Sequence, residues 1–248
     1  MRDHLSDTAA DIVIPVSNQY ASTRNLLEGI YRYADVPFHM YVIDNASTDE
    51  TIDLDKIYTR DITIVRNREN RGWGASVNQG AQLGQNPYVI FLNNDVEISQ
   101  GWPGNLIAFL DTHPRIGAVG PLGSSPDEGQ GVDKVRDSIV PQIPRFLTED
   151  LHERNRILKY HFHRAGILVE GTLSFFCIVL KRRTLEAVGP LDEGFEGGDD
   201  GDYCRRLRKA GYVLGLSLDT YVLNRSGSAT KAALAGRLES RRKTYAAK

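Results

Sequence analysis

A chain of 248 residues has room for one well-filled core with at most a small appendage, and 41% apolar with 25% charged residues excludes collagen-like, disordered and disulfide-stapled classes. Lys and Arg number 30 against 32 Asp and Glu, a net of −2, so the global positive field of a nucleic-acid coater is missing. Cys177 and Cys204 are the only cysteines; they make no disulfide framework or zinc ribbon and fit a reducing compartment.

In chain order, the polar start Met1 to His4 has no signal-peptide core, and the longest purely apolar run, Phe175 to Leu180, falls far below the roughly 20 residues that span a bilayer. A cytoplasmic protein is expected. Five short apolar runs at 12–16, 40–43, 62–65, 88–92 and 116–119 read as buried strands. Between several of them lie helix-compatible segments at 20–33, 74–83 and 101–112, so the class is α/β with an open, mostly parallel sheet flanked by helices. Ligands of such sheets bind beyond the carboxyl ends of the strands, where this chain carries polar clusters: 44–49, 70–74 and 93–97. From 121 to 164 the periodicity is lost, which predicts long loops with at most short helical pieces. Residues 166–180 read as strands, 200–211 as a helix with acids first and bases last, and 230–248 as a basic tail carrying Lys231, Arg237, Arg241, Arg242, Lys243 and Lys248.

The clusters suggest chemistry, each with a plainer alternative. Asp95 closes an Asn-x-Asp pattern after a rigid strand, and one carboxylate helped by Glu97 can hold Mg²⁺ or Mn²⁺ when substrate phosphates supply the other oxygens; the same residues also make turns. Asp199 and Asp200, flanked by Glu196 and Asp202, can supply a general base or simply cap a helix. Arg71-Gly72-Trp73-Gly74 can bring amides and a guanidinium to an anion. Asp44 can accept hydrogen bonds from ribose or base, whereas Asp49 is expected to cap the short helix after it. His161 and His163 would share a face if their segment is a strand, but three or four ligands are needed for zinc, so polar surface is the expectation; Cys177 reads as core.

Taken together, "DIVIPVSNQ", "VIDNASTDET", "NRGWGASVNQG", "VIFLNNDVEI" with "GWPGNL", "GTLSFFCIVLKRRTLEAVGPLDEGF" and "GGDDGDYCRRLRKAGY" resemble, in order, the motifs of family 2 glycosyltransferases with the GT-A fold. The resemblance runs from about Asp11 to Gly227. It implies a single domain over 1–227, with a donor-binding part at 11–120 and a smaller acceptor and catalytic part at 121–227; the basic residues beyond it are expected to form a helical tail at 228–248. It further implies that Pro15 and Val16 border the nucleotide base, that Asp44 contacts uracil-like ring or ribose, and that Asn70, Arg71, Gly72 and Asn94 lie along the donor nucleotide. Asn93 takes the first position of the family's DxD motif and Asp95 the second, so both are assigned to the metal, Mn²⁺ or Mg²⁺, with Asp95 as the principal ligand. Asp199 replaces the family's Glu, and Asp200 takes the place of the catalytic base. A strand around Gly171 to Phe176, with Gly171, Thr172 and Phe175, would face acceptor and sugar together with Glu97. Where members often carry a metal-binding His, "YVLNRSGS" offers Asn224 and Arg225, and Arg225 is assigned to the diphosphate.

The function implied is transfer of a sugar from a nucleotide-diphosphate sugar to an acceptor hydroxyl, with inversion, in glycan or glycoconjugate (polysaccharide) biosynthesis. The partners are a nucleotide-sugar donor and a hydroxyl acceptor whose class the sequence leaves open. Two rivals are a catalytically silent sugar-nucleotide-binding or scaffolding domain, and a sugar-phosphate nucleotidyltransferase. The latter ranks last because its Gly-rich basic loop is replaced by Pro15-Val16-Ser17-Asn18. The tail reads either as a solvated helix or as a peripheral contact with anionic lipid at the inner face of a membrane.

Overall fold

The computed structural model describes residues 8–124, 130–131, 150–194 and 199–225. Strand β1 (Ala10–Val16) is buried along its whole length, as a strand covered on both faces must be. Its alternate residues serve two cores: Ile12, Ile14 and Val16 point to one and Val13 to the other, the period of two that a pleated strand imposes. Asn18 and Gln19 then take left-handed φ values of 59° and 66° and turn the chain into α1 (Tyr20–Tyr33), which buries Thr23, Leu26, Leu27 and Ile30 on one stripe. Strand β2 (Phe38–Asn45) is followed by a 3-10 turn (Glu50–Asp53) and the single-turn α2 (Leu54–Ile57). Next come β3 (Ile62–Asn67), α3 (Trp73–Leu83), β4 (Tyr88–Leu92), the two-residue β5 (Val96–Glu97) and α4 (Trp102–Thr112). The second half holds β6 (Ile116–Gly123), α5 (Leu151–Phe162), β7 (Gly166–Val169), β8 (Cys177–Lys181), α6 (Arg182–Val188), α7 (Asp199–Lys209) and β9 (Val213–Asn224).

Among the described residues, nine strands form a sheet that runs β3-β2-β1-β4-β8-β6-β9-β5, with β7 on β9. It is parallel from β3 to β4 and again between β6 and β9, with β8 inserted antiparallel to β4 and β6. Register pairs Val16 with Asp44, Asp44 with Arg66 and Asn45 with Asn67, so the carboxyl ends of β1, β2 and β3 finish level. Gly80 lets α3 sit close on this sheet, since a Cβ there would meet Val13 Cγ1 at 2.3 Å.

The structure corrects two expectations. Residues 121–164 are not only loops: β6 runs on to Gly123, and α5 is a 12-residue helix whose N-terminus is capped by Asp150 accepting the Glu153 N–H at 2.9 Å. Its buried stripe is narrow, Asn155, Ile157 and Leu158, so its apolar period was hidden among charges. His161 therefore lies on a helix and His163 at its C-cap, where residues two apart do not share a face. Secondly, Gly171 to Phe176 is a loop between β7 and β8 rather than a strand. The expectations for the tail at 228–248 and for Glu196 lie outside the described residues, and of Asp199 only the backbone is described. Among the described residues no helix is long and apolar enough to cross a membrane.

Candidate functional site

The strand ends of the parallel half form a polar rim. Asp44 is fully buried: one carboxylate oxygen accepts the Arg66 Nε–H at 3.1 Å and the other the Ser47 N–H at 2.9 Å. Arg66 also donates to the Ile52 carbonyl and lies 3.8 Å from Asp55, so it pins the 3-10 turn beneath the rim. Pro15 and Val16 are buried at the end of β1, and the exposed loop after them is stitched to β2: Asn18 Oδ1 accepts the Thr48 and Asp49 N–H groups at 2.8 and 3.3 Å. Asp49 caps as expected, accepting the Thr51 N–H at 3.1 Å and the Tyr20 N–H at 3.0 Å. Burial pulls its carboxyl upward, but hydrogen bonds from Thr51 and Tyr20 outweigh this and hold it below the usual carboxylate range.

Across the rim lies the 70–74 loop. Gly72, at φ 87°, adopts a conformation that favours glycine. Its N–H donates to Asn70 Oδ1 at 2.9 Å, and its carbonyl accepts Asn45 Nδ2 at 3.1 Å. Asn70 in turn donates to Ser17 Oγ at 3.4 Å, which closes the loop on the end of β1. Arg71 is half-exposed and 3.8 Å from Glu193.

At the end of β4 the three motif residues diverge. The Asn93 N–H donates to the Phe176 carbonyl at 2.9 Å, while its side-chain oxygen accepts the Trp73 Nε1–H at 3.0 Å. Asn94 donates to Thr23 Oγ1 at 3.0 Å and so ties β4 to α1. Asp95 is 8% exposed, and no described residue hydrogen-bonds or pairs with its carboxylate. The carboxylate is thus unengaged by described side chains, and one hard oxygen ligand beside incoming phosphate oxygens is the donor set that Mg²⁺ or Mn²⁺ takes; the residues fit such an ion. No group of three or more His, Cys, Asp or Glu suited to a metal occurs among the described residues, so the remaining ligands would come from substrate. Glu97 and Arg225 form an ion pair with each other where β5 meets β9. Glu97 also borders a separate cleft of about 310 Å³ between α1, β5 and the start of α5, with Arg32, Tyr33 and His152.

On the opposite side, Asp200 stands in the first turn of α7 and accepts the Phe175 N–H at 3.1 Å. The Phe175 ring is buried among Trp73, Phe91 and Tyr203, with centroids 6.2, 6.5 and 5.9 Å away; what it brings to the site is its amide. Gly171 and Thr172 are exposed in the same loop, anchored where Arg208 donates to the Val169 and Gly171 carbonyls and where the Ser174 N–H donates to buried Gln130 at 2.5 Å. The loop leading toward α7 is clipped to α3: Asn78 donates to the Leu191 carbonyl and accepts the Leu191 N–H, both at 2.9 Å.

Sequence reasoning missed Asn78, Gln130 and Arg66, whose partners are 113, 44 and 22 residues away, and it carried Trp73 only inside its motif. An aromatic residue between two glycines was the one local signal available for Trp73.

The model of glycosyl transferase family 2 matches residues 11–188. A pre-mycofactocin glycosyltransferase of Mycobacterium tuberculosis is 27% identical over 205 residues, covering 81% of this chain and 39% of that relative. The chain thus spans well under half of its length. An N-acetylglucosaminyl-diphospho-decaprenol L-rhamnosyltransferase of the same organism is 30% identical over 205 residues, covering 71% of this chain and 63% of the relative. Among solved structures, a mannosyltransferase of Pyrobaculum calidifontis in complex with GDP-Man and Mn²⁺ superposes with a TM-score of 0.63 at 19% identity, covering 89% of this chain and 57% of that one. At that identity the likeness establishes the fold, which is GT-A.

Proposed function

Because this chain belongs to glycosyl transferase family 2, we propose that it transfers a sugar from a nucleotide-diphosphate donor to an acceptor hydroxyl, with inversion at the anomeric carbon, in glycan or glycoconjugate assembly. The observation that supports this reading is that one short stretch serves both carboxylate regions: the Phe176 carbonyl accepts the N–H of Asn93, two residues before Asp95, at 2.9 Å, and the neighbouring Phe175 N–H donates to Asp200. The carboxylate of Asp95, in the turn after β4, has no partner among the described residues, and Asp200 accepts the Phe175 N–H at 3.1 Å.

In the reaction the acceptor oxygen attacks the anomeric carbon as Asp200 takes its proton, which is general-base work. The new carbon–oxygen bond forms while the bond from that carbon to the diphosphate breaks, and the electron pair leaves with the diphosphate. Asp95, with substrate oxygens, would hold Mg²⁺ or Mn²⁺, which when bound neutralises charge on the departing group. Asp44, Asn70 and Gly72 shape the nucleotide side of the rim, and Arg71 lends positive charge above it. Arg225, paired with Glu97 through Nε and Nη2, keeps further guanidinium donors that would serve a diphosphate. Gly171 and Thr172 offer the exposed edge for the acceptor.

The test is release of nucleoside diphosphate from a panel of nucleotide sugars with Mn²⁺, Mg²⁺ or EDTA. Polyprenyl-diphospho-sugar acceptors come first, since one relative's name specifies such a substrate. Asp200→Asn is expected to cut turnover by about 10²–10⁴-fold with donor binding retained. Near-wild-type turnover would remove Asp200 from the role of base, and donor binding without turnover in the unmodified protein on any acceptor would favour a silent binding domain.

A further inference from the structure

We propose that Trp73 is a positioning residue: it sets the carboxamide of Asn93 so that Asn93 donates a hydrogen bond to an oxygen of the bound nucleotide and does not ligate the cation. The inference rests on the donor reading above and assigns a division of labour within that site. An indole Nε1–H donates and never accepts. The atom of Asn93 that faces it at 3.0 Å is therefore the oxygen, which settles by chemistry an orientation that side-chain amides otherwise leave ambiguous.

Both partners are held in place. Trp73 is the first residue of α3, its ring edge-on to Phe91 at 6.5 Å and inclined to Phe175 at 6.2 Å, and both phenylalanines are buried. The backbone of Asn93 is fixed by its N–H on the Phe176 carbonyl at 2.9 Å. With the oxygen engaged by the indole, the Nδ2 end carries two N–H groups that no described residue accepts. Asn93 is only partly buried and stands two residues before Asp95. Donors without acceptors beside the carboxylate assigned to the cation match the oxygens of a nucleoside diphosphate, and a hydrogen bond to such a charged oxygen is among the stronger kinds.

The assignment predicts that Asn93 contributes to nucleotide affinity whether or not a cation is present, whereas Asp95 contributes only through the cation. The experiment uses the full chain and whichever of UDP, GDP and dTDP it binds most tightly, measuring affinity by calorimetry in EDTA and in Mn²⁺. Trp73→Phe, which keeps the ring packing but removes the N–H, and Asn93→Ala should each weaken binding in EDTA by about tenfold, the worth of one charge-assisted hydrogen bond. Both should preserve the ratio by which Mn²⁺ tightens binding. Asp95→Asn should abolish that ratio without weakening binding in EDTA.

Loss of the Mn²⁺ ratio in Asn93→Ala makes Asn93 a cation ligand and overturns the proposal, as does unchanged affinity in EDTA for either Asn93→Ala or a folded Trp73→Phe. Should Trp73→Phe melt early, the indole N–H resonance of Trp73 decides its role in the folded wild type: protection from solvent exchange that is lost in Asn93→Ala supports the bond to Asn93, and equal exchange in the two overturns it. A wild-type chain that binds none of the three nucleotides brings down the donor reading itself, an outcome distinct from either of these.

Discussion

The carboxylate of Asp49 joins two elements, accepting the Tyr20 N–H at the start of α1 and the Thr51 N–H in the 3-10 turn. Replacing it by Ala leaves both amides to water and should cost about 1 kcal/mol, as loss of an N-cap does. Its lowered folded value gives the effect a pH signature. A carboxyl depressed in the folded state adds stability that is complete above its unfolded value near pH ~4 and is lost as pH falls through the folded value. The stability gap between wild type and Asp49→Asn should therefore be open at neutral pH and close in acid, measured by urea unfolding across a pH series. A gap that stays constant assigns Asp49 to shape alone. Such a cap was legible in the sequence because its partners are local, and Cys177 was legible as core, where burial pushes its thiol up. The orientation of Asn93 was not legible, since it depends on an indole 20 residues away.

Among elements, legibility followed burial. The runs in β1 and β4 are buried throughout and announced themselves as strands, and the strand-end clusters marked the rim. Helix α5 did not, because three buried residues in 12 give too narrow a stripe to rise above its charges. The same helix uses a device that no local pattern reveals: Asn155 donates to the Tyr221 carbonyl at 2.8 Å and accepts the Tyr221 N–H at 2.7 Å, docking on β9 by imitating a strand partner. Asn78 does this for Leu191, and it also donates to Glu193 Oε1 at 3.0 Å. The Asn78 clip lies just ahead of α7 and so bears on Asp200. Asn78→Ala would strand the buried Leu191 amide and carbonyl and should cost about 2–4 kcal/mol, two unsatisfied buried groups' worth. Hydrogen exchange should rise first at 189–194 while the strands of the parallel half stay protected. Exchange that rises evenly over the whole chain would mean that the clip serves global stability and not this loop.

At the scale of the whole molecule, the resemblance of ordered motifs gave the GT-A fold, but the antiparallel insertion of β8 between β4 and β6 had no local signature. A buried ion pair reinforces that non-local arrangement beside the strand pairing itself. Asp11, at the edge of β1 and 1% exposed, accepts from Arg182, 171 residues later, at 2.8 Å and from the Asn86 N–H and Nδ2 at 2.9 and 2.8 Å. Arg182 spends its other donors on the Asn86 and Ala81 carbonyls at 2.8 and 2.9 Å. The pair thereby ties the first strand, the α3–β4 connection and the start of α6 into one unit. A charge left behind in such a place is far costlier than the pair is valuable. Arg182→Met should therefore destabilise by about 3–5 kcal/mol, and adding Asp11→Asn should recover part of that loss, because the stranded carboxylate is then removed. Urea unfolding of the two single variants and the double variant measures the coupling. A double variant that loses the sum of the two single losses would show that Asp11 and Arg182 act separately, and that strand pairing through β8 and the apolar cores join the two halves of the sheet without help from this pair.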